Sequence, residues 1–203
     1  MNESNYIWQR VEYDDISVQK LKKDLGIPKT IAQLLINRGV DDFSKARDYF
    51  RLNQDNFIDP FLMKGMTKAI ERIHFALSNE QKVLVYGDYD VDGTCSVAMM
   101  AKFLKLFSDK IHIYQPDREE EGYGISMKSV EWVKDNNIEL IIALDCGIKD
   151  FNSAERLKFN EVDLIICDHH VTGQNLPQAY AILNPKQVDC VYPFKDVCVR
   201  SYD

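Results

Sequence analysis

The chain has 203 residues, 45% of them hydrophobic, and a formal net charge of −7, enough apolar material for one sizeable core with a smaller appendage. No apolar run is long enough to span a bilayer, and the polar start Met1-Asn2-Glu3-Ser4-Asn5 lacks the basic-then-apolar order of a signal peptide. The five cysteines are odd in number and make no C-x-x-C pair, which suggests neither a disulfide framework nor a zinc ribbon; a cytoplasmic protein with reduced thiols and no membrane partner is expected.

In chain order, Val18 to Asp24 and Lys29 to Asn37 read as two short helices broken by Gly26-Ile27-Pro28, with Gly39 as a C-cap of the second. Asp41-Asp42-Phe43-Ser44 can cap a third helix, Lys45 to Phe50. Asn53 to Pro60 is polar and loop-like. Met66, Ala69, Ile70, Ile73 and Leu77 repeat at helical spacing. From Val83 onward strand and helix alternate. Strands are expected at Val83–Tyr86, Ile111–Gln115, Leu140–Leu144, Asp163–Cys167 and, briefly, Ala181–Leu183, with helices at Thr94–Phe107, Met127–Asp135 and Asn152–Phe159. Near-continuous apolar strands belong in a sheet covered on both faces. Repeated βα units imply a doubly wound, mostly parallel α/β sheet. The expected division is a helical lead over 1–65 and a sheet domain over 66–203.

The net charge is uneven. Up to Lys82 there are 13 Lys and Arg against 12 Asp and Glu; from Val83 the count is 12 against 20. A nucleic-acid binder is usually basic, so the bare count argues against one. Bound dications would cancel part of the excess locally; a solvated acidic face is the plainer alternative.

The acidic half places its chemistry at strand ends. Val83-Leu84-Val85-Tyr86 runs into Asp88, Asp90 and Asp92, then Gly93. Leu140 to Leu144 runs into Asp145-Cys146-Gly147, and Leu164 to Cys167 into Asp168-His169-His170. Ligands of parallel sheets bind beyond the carboxyl ends of the strands, so five carboxylates and two imidazoles could converge there. The pattern Asp88-x-Asp90-x-Asp92-Gly93 also reads as a solvated turn. It faintly matches a calcium-binding EF-hand loop, but Met99 stands where that loop needs an acid and a strand, not a helix, precedes it. Adjacent histidines on a loop are often incidental, yet only His74 and His112 accompany these two in the chain. Imidazole with several carboxylates suits Mn²⁺ or Mg²⁺ better than thiolate-bound zinc. After the second strand, Arg118 could grip a phosphate and Gly122-Tyr123-Gly124 could let a backbone approach; taken alone, a surface loop with a chance arginine explains them as well.

Taken together these motifs resemble the DHH family of phosphoesterases, and within it the nuclease branch specific for single-stranded DNA. The carrying residues are Val85 to Gly93, Leu144-Asp145-Cys146-Gly147 and Asp168-His169-His170. Arg118 with Gly122-Tyr123-Gly124, then Ala181 to Lys186 and Tyr192-Pro193-Phe194, narrow it, as do Leu34 to Gly39 and Asp59-Pro60-Phe61 in the lead. The resemblance implies a two-metal phosphodiesterase, a 5′→3′ exonuclease on single-stranded DNA in repair and recombination. By the same resemblance Asp90, Asp92, Asp145 and His169 are metal ligands for two divalent cations, Mn²⁺ or Mg²⁺. Asp88 is a ligand or supports one, His170 lies near the scissile phosphate, and Asp168 orients the neighbouring imidazole. Arg118, Gly122, Tyr123 and Gly124 position the DNA backbone. A monomer is expected, with replication or repair proteins as further partners.

Two departures from the family pattern stand out. Many relatives carry a histidine four residues before the first ligand, where this chain has Tyr86; this favours the nuclease branch over a pyrophosphatase-like one. The family's nucleases also continue past the Tyr192-Pro193-Phe194 segment into a fourth motif with another Asp ligand and a second domain, so this chain alone is expected to be weak or inactive. The alternatives are a DHH phosphodiesterase of short oligonucleotides or cyclic dinucleotides, and a non-catalytic DNA-binding relative.

Overall fold

The protein is described by a computed structural model over residues 12–51 and 57–199. The first five residues, the first half of the expected loop from Asn53 and the last four residues lie outside the described range. Two compact units divide between Ile58 and Asp59.

The first unit holds three helices, α1 (Asp15–Leu25), α2 (Lys29–Ile36) and α3 (Phe43–Phe50). The Asp14 carboxylate accepts the Ile16 and Ser17 amides and caps α1, which ends on left-handed Gly26. The expected cap of α3 is Asp42, which accepts the Lys45 amide at 2.8 Å. Gly39, at φ +76°, closes the turn after α2 by donating to the Ile36 carbonyl. Val18 and Leu21 of α1, Ala32 and Leu35 of α2, Val40, and Ala46 of α3 form its core.

The second unit begins earlier than the expected boundary at 65/66. The turn Pro60–Leu62 leads to Met63, which is buried in the core of the sheet unit rather than in the lead. Then follow α4 (Met66–Ser78), β1 (Val83–Gly87), α5 (Val91–Leu104), β2 (Ile111–Tyr114), α6 (Met127–Asp135), β3 (Leu140–Leu144), α7 (Phe151–Phe159), β4 (Asp163–Cys167) and β5 (Ala181–Leu183). All pairings are parallel, in the order β2-β1-β3-β4-β5. The expected doubly wound α/β sheet is therefore what forms. Alternate residues of the buried strands pack on opposite faces. Val83 and Val85 meet Ala69 and Ala76 of α4 and Val97, Ala101 and Leu104 of α5. Leu84 and Tyr86 meet Val130 and Val133 of α6 and Ala154 and Leu157 of α7.

Two features of this frame position a site. The register aligns Gly87 with Leu144, Leu144 with Cys167 and Cys167 with Leu183, so four strands end at one level. From β1 the sheet grows one way to β2 and the other way to β3. A ligand crevice opens at such a reversal, outside the carboxyl ends of the strands.

Candidate metal centre

The three aspartates after β1 do not form one row. Asp88 continues the strand and is buried, Asp90 is the N-cap of α5, and Asp92 lies in that helix's first turn. The helix thus starts at Val91 and not at Thr94, because the Asp90 carboxylate accepts the Gly93 amide at 3.0 Å and closes the first turn early. Carboxylates here are favoured by the helix N-terminus. Gln115, just after β2, ties the turn down by donating from Nε2 to the Asp88 carbonyl at 3.1 Å and the Thr94 hydroxyl at 2.7 Å.

Asp145 follows β3 at φ +61°, a left-handed conformation uncommon outside glycine. Gly147, at φ +109°, completes the turn where a Cβ would crowd Ile166 at 3.2 Å. After β4, both Asp168 oxygens are engaged: Oδ2 accepts the Ile148 amide at 3.0 Å, and Oδ1 accepts the His170 amide at 2.9 Å and meets His170 Nδ1 at 2.7 Å. Asp168 therefore orients His170 and not His169. Asn184, fully buried just past β5, donates to the His170 carbonyl at 3.0 Å.

The strand ends bring the side chains together as two donor groups. One atom each of Asp88, Asp90 and Asp145 lie within 4.8 Å of one another, and so do one atom each of Asp145, His169 and His170. Asp145 belongs to both. His169 Nε2 stands 3.1 Å from Asp145 Oδ1 and 3.8 Å from Asp92 Oδ2, which also accepts the Val199 amide at 3.1 Å. Asp88 Oδ1 is buried and makes no hydrogen bond, and the buried Asp145 Oδ1 meets the His169 ring nitrogen without hydrogen-bond geometry. Buried carboxylate oxygens without donors are costly unless a cation faces them. Oxygen donors with an imidazole fit Mn²⁺ or Mg²⁺, and Asp145 is placed to be shared by two ions.

Electrostatics agree. Burial, reinforced by Asp92 and Asp90, pushes the Asp145 carboxyl up to about 8, and burial also raises Asp88. A folded carboxyl that keeps its proton so far above its ordinary 3.8 contributes stability at low pH. That contribution is lost as pH rises from about 4 through 8, at up to about 1.4 kcal/mol per pH unit. A cation must displace that proton. Mn²⁺ binding at pH 7 is thus expected to release roughly one proton, and at pH 9 much less. Titration calorimetry in two buffers of different ionisation enthalpy measures this; identical heats in both at pH 7 would contradict it.

The loop after β2 supplies the remaining expected residues. Arg118 is exposed, with its guanidinium over the Tyr89 ring at 5.3 Å from the centroid. The loop is internally bonded: Glu121 accepts from Tyr114, from Ser126 and from the Asp117 amide. The Tyr123 hydroxyl donates to the Asp145 carbonyl at 3.0 Å and lies 3.2 Å from His170 Nδ1. Gly122 meets open space, whereas a Cβ on Gly124 would collide with the Asp150 carboxylate. Tyr86, the first of the two departures from the family pattern, points away from the donor groups into the α6–α7 side of the sheet. Its hydroxyl donates to the Gly124 carbonyl at 2.7 Å. Sequence reasoning passed over Gln115, Asp150 and Asn184 as site residues. Gln115 and Asn184 stand directly after strands, which is the one signal that could have found them.

The model of the DHH family, N-terminal domain, matches residues 82–198. The single-stranded-DNA-specific exonuclease RecJ of Bacillus subtilis is 40% identical over 190 residues, covering 94% of this chain and 24% of the relative. That of Escherichia coli is 33% identical over 172 residues, covering 84% and 29%. A crystal structure of exonuclease RecJ bound to manganese superposes with a TM-score of 0.63 at 28% identity, covering 72% of this chain and 38% of that one. The RecJ of Thermus thermophilus in complex with Mn²⁺ shares the fold, with a TM-score of 0.65 at 22% identity over 92% of this chain and 26% of that one. The chain thus spans about a quarter of the length of the curated relatives it matches.

Proposed function

Because the chain belongs to the DHH family, we propose that it carries the metal-binding part of a single-stranded-DNA-specific 5′→3′ exonuclease of the RecJ type. One observation carries this reading. Asp145 is common to an all-carboxylate donor group and a carboxylate–imidazole group, at the crevice beyond β1 and β3. The named relatives are single-stranded-DNA-specific exonucleases, and the solved RecJ structure 28% identical to this chain is bound to manganese.

In this reading Asp88, Asp90, Asp92, Asp145 and His169 hold two divalent cations, Mn²⁺ or Mg²⁺. The bound pair supplies Lewis acidity that acidifies an attacking water and offsets charge developing on the phosphoryl oxygens. The chain's own side chains orient the reactants. With Nδ1 engaged by Asp168, His170 turns Nε2, which lies 3.4 Å from the Tyr123 hydroxyl, to the scissile phosphate. Arg118, held over Tyr89, takes a backbone phosphate; Gly122, Tyr123 and Gly124 line the approach. The acidic excess of the sheet half requires the cations for an anionic substrate to enter. The protein acts as a monomer in the cytoplasm, with replication or repair proteins as partners. This accords with five cysteines that carry thiols and with the lack, among the described residues, of a helix long and apolar enough to cross a membrane.

The test uses single-stranded and duplex DNA labelled at either end, with and without Mn²⁺. Single strands are expected to bind only with metal, and any labelled mononucleotide, at the low rate expected of this chain alone, to come first from the 5′ end; a His169→Ala variant is expected to do neither. Cleavage of cyclic dinucleotides in preference to single strands, or metal-independent DNA binding without cleavage, would overturn the reading.

A further inference from the structure

Asp150 sits directly before α7, where an aspartate ordinarily caps the helix. Here no α7 amide bonds to its side chain. Instead Oδ2 accepts the Ile125 amide at 2.7 Å, across 25 residues of chain. The backbone of the Gly122–Gly124 loop comes so close that a Cβ on Gly124 would lie 2.6 Å from each Asp150 oxygen. Ser153, in the first turn of α7, donates to the Ile125 carbonyl and grips the same residue from its other end. Tyr86 holds the Gly124 carbonyl from beneath. A local cap has been given up for a distant backbone contact, and the residue next to that contact is Tyr123.

Tyr123 links the loop to two of the proposed site residues. Its hydroxyl donates to the carbonyl of left-handed Asp145, and its ring stands edge-on to His170 with centroids 5.7 Å apart. The His170 ring is then held by Asp168 on Nδ1 and by the Tyr123 hydroxyl, which lies 3.2 Å from Nδ1 and 3.4 Å from Nε2.

We propose that Asp150 is a positioning residue, clamping the Gly124–Ile125 backbone so that the Tyr123 hydroxyl holds the Asp145 turn and sets the His170 ring. The role rests on the reading of Asp145 and His170 as site residues. Asp150 itself touches neither metal nor substrate. It acts through Tyr123, and the space for it exists only because residue 124 is glycine.

The test compares Asp150→Ala, Asp150→Asn, Tyr123→Phe and the Asp150→Ala/Tyr123→Phe double variant in the 203-residue chain. The readouts are the His170 ring resonances in metal-free protein at one pH, Mn²⁺ affinity by calorimetry, and melting temperature. Asp150→Ala is expected to move the His170 resonances and weaken Mn²⁺ binding roughly tenfold. Asp150→Asn keeps an oxygen acceptor for the Ile125 amide and restores both. Tyr123→Phe reproduces the Asp150→Ala changes, and the double variant adds nothing to them, as expected of residues acting through one contact. Unmoved His170 resonances in Tyr123→Phe, or an Asp150→Asn variant as impaired as Asp150→Ala, would overturn the proposal. If Asp150→Ala does not fold, Asp150→Ser takes its place with the same expected shifts. If the parent chain binds no Mn²⁺, the metal reading fails, while the metal-free His170 resonances still decide the clamp.

Discussion

An Asp145→Asn substitution is expected to remove Mn²⁺ binding while leaving a folded protein that is more stable than the parent at alkaline pH. Both donor groups share this carboxylate, so its loss takes a ligand from both at once. Removing partners that merely support a metal ligand already costs about 10–100-fold in affinity, and a shared ligand should cost at least the upper figure. Asparagine suits the backbone, because it tolerates the left-handed conformation at φ +61°. It also removes a liability. Above pH 8 the parent carries an ionised, buried carboxylate beside Asp92 and Asp90, which an amide avoids. The melting temperature of the variant should therefore exceed that of metal-free parent at pH 9, and the gap should narrow steadily as pH falls toward 4. Added Mn²⁺ should raise the parent's melting temperature and not the variant's. Mn²⁺ binding that survives in Asp145→Asn would remove Asp145 from the ligand set.

Much of this arrangement is legible in the sequence because parallel sheets translate strand order into geometry. Apolar runs at Val83, Leu140 and Leu164 each end in an acid, and in-register parallel pairing necessarily brings those ends to one edge. What is not legible depends on contacts between distant residues or on choices that are locally degenerate. Asp90 can cap a helix or extend a turn; only the closed bond to the Gly93 amide decides, and it moves the start of α5 to Val91. The alternation of β1 puts Tyr86 on the face opposite Val85, but its hydroxyl finds the Gly124 carbonyl only once β1 and the loop are assembled. Asp150 looks like an ordinary helix cap in sequence, and the Ile125 amide displaces that role. Met63 carries no periodic signal of its own, and its burial against the sheet draws the 59–65 stretch into the second unit.

Gly93→Ala brings local propensity and tertiary contact into direct opposition. Within a helix, alanine is favoured over glycine by about 1 kcal/mol, so α5 taken alone should gain stability. The packing decides otherwise. A Cβ at position 93 would lie 2.5 Å from the Asp88 carbonyl oxygen and 2.8 Å from its carbonyl carbon and amide nitrogen. These are backbone atoms, fixed by the β1–β3 pairing and by the Gln115 side chain, and they cannot rotate aside. Gly87 is the contrasting case. Its Cβ would chiefly strike the Val97 side chain, so a companion Val97→Ala change should relieve most of the clash and leave only a tight 3.1 Å contact with the Gly93 carbonyl oxygen. No single side-chain truncation relieves Gly93→Ala. Overpacking of this kind costs about 1–3 kcal/mol, occasionally more, and the melting temperature should fall by roughly 2–4 °C for each kcal/mol in a chain of this size. The only relief is to lift the first turn of α5 away from β1. That movement carries Asp90 and Asp92 with it, away from Asp145 and His169, so Mn²⁺ affinity should fall together with stability. An alanine variant with unchanged melting temperature and unchanged affinity would mean that the first turn of α5 can move without disturbing the carboxylates it carries.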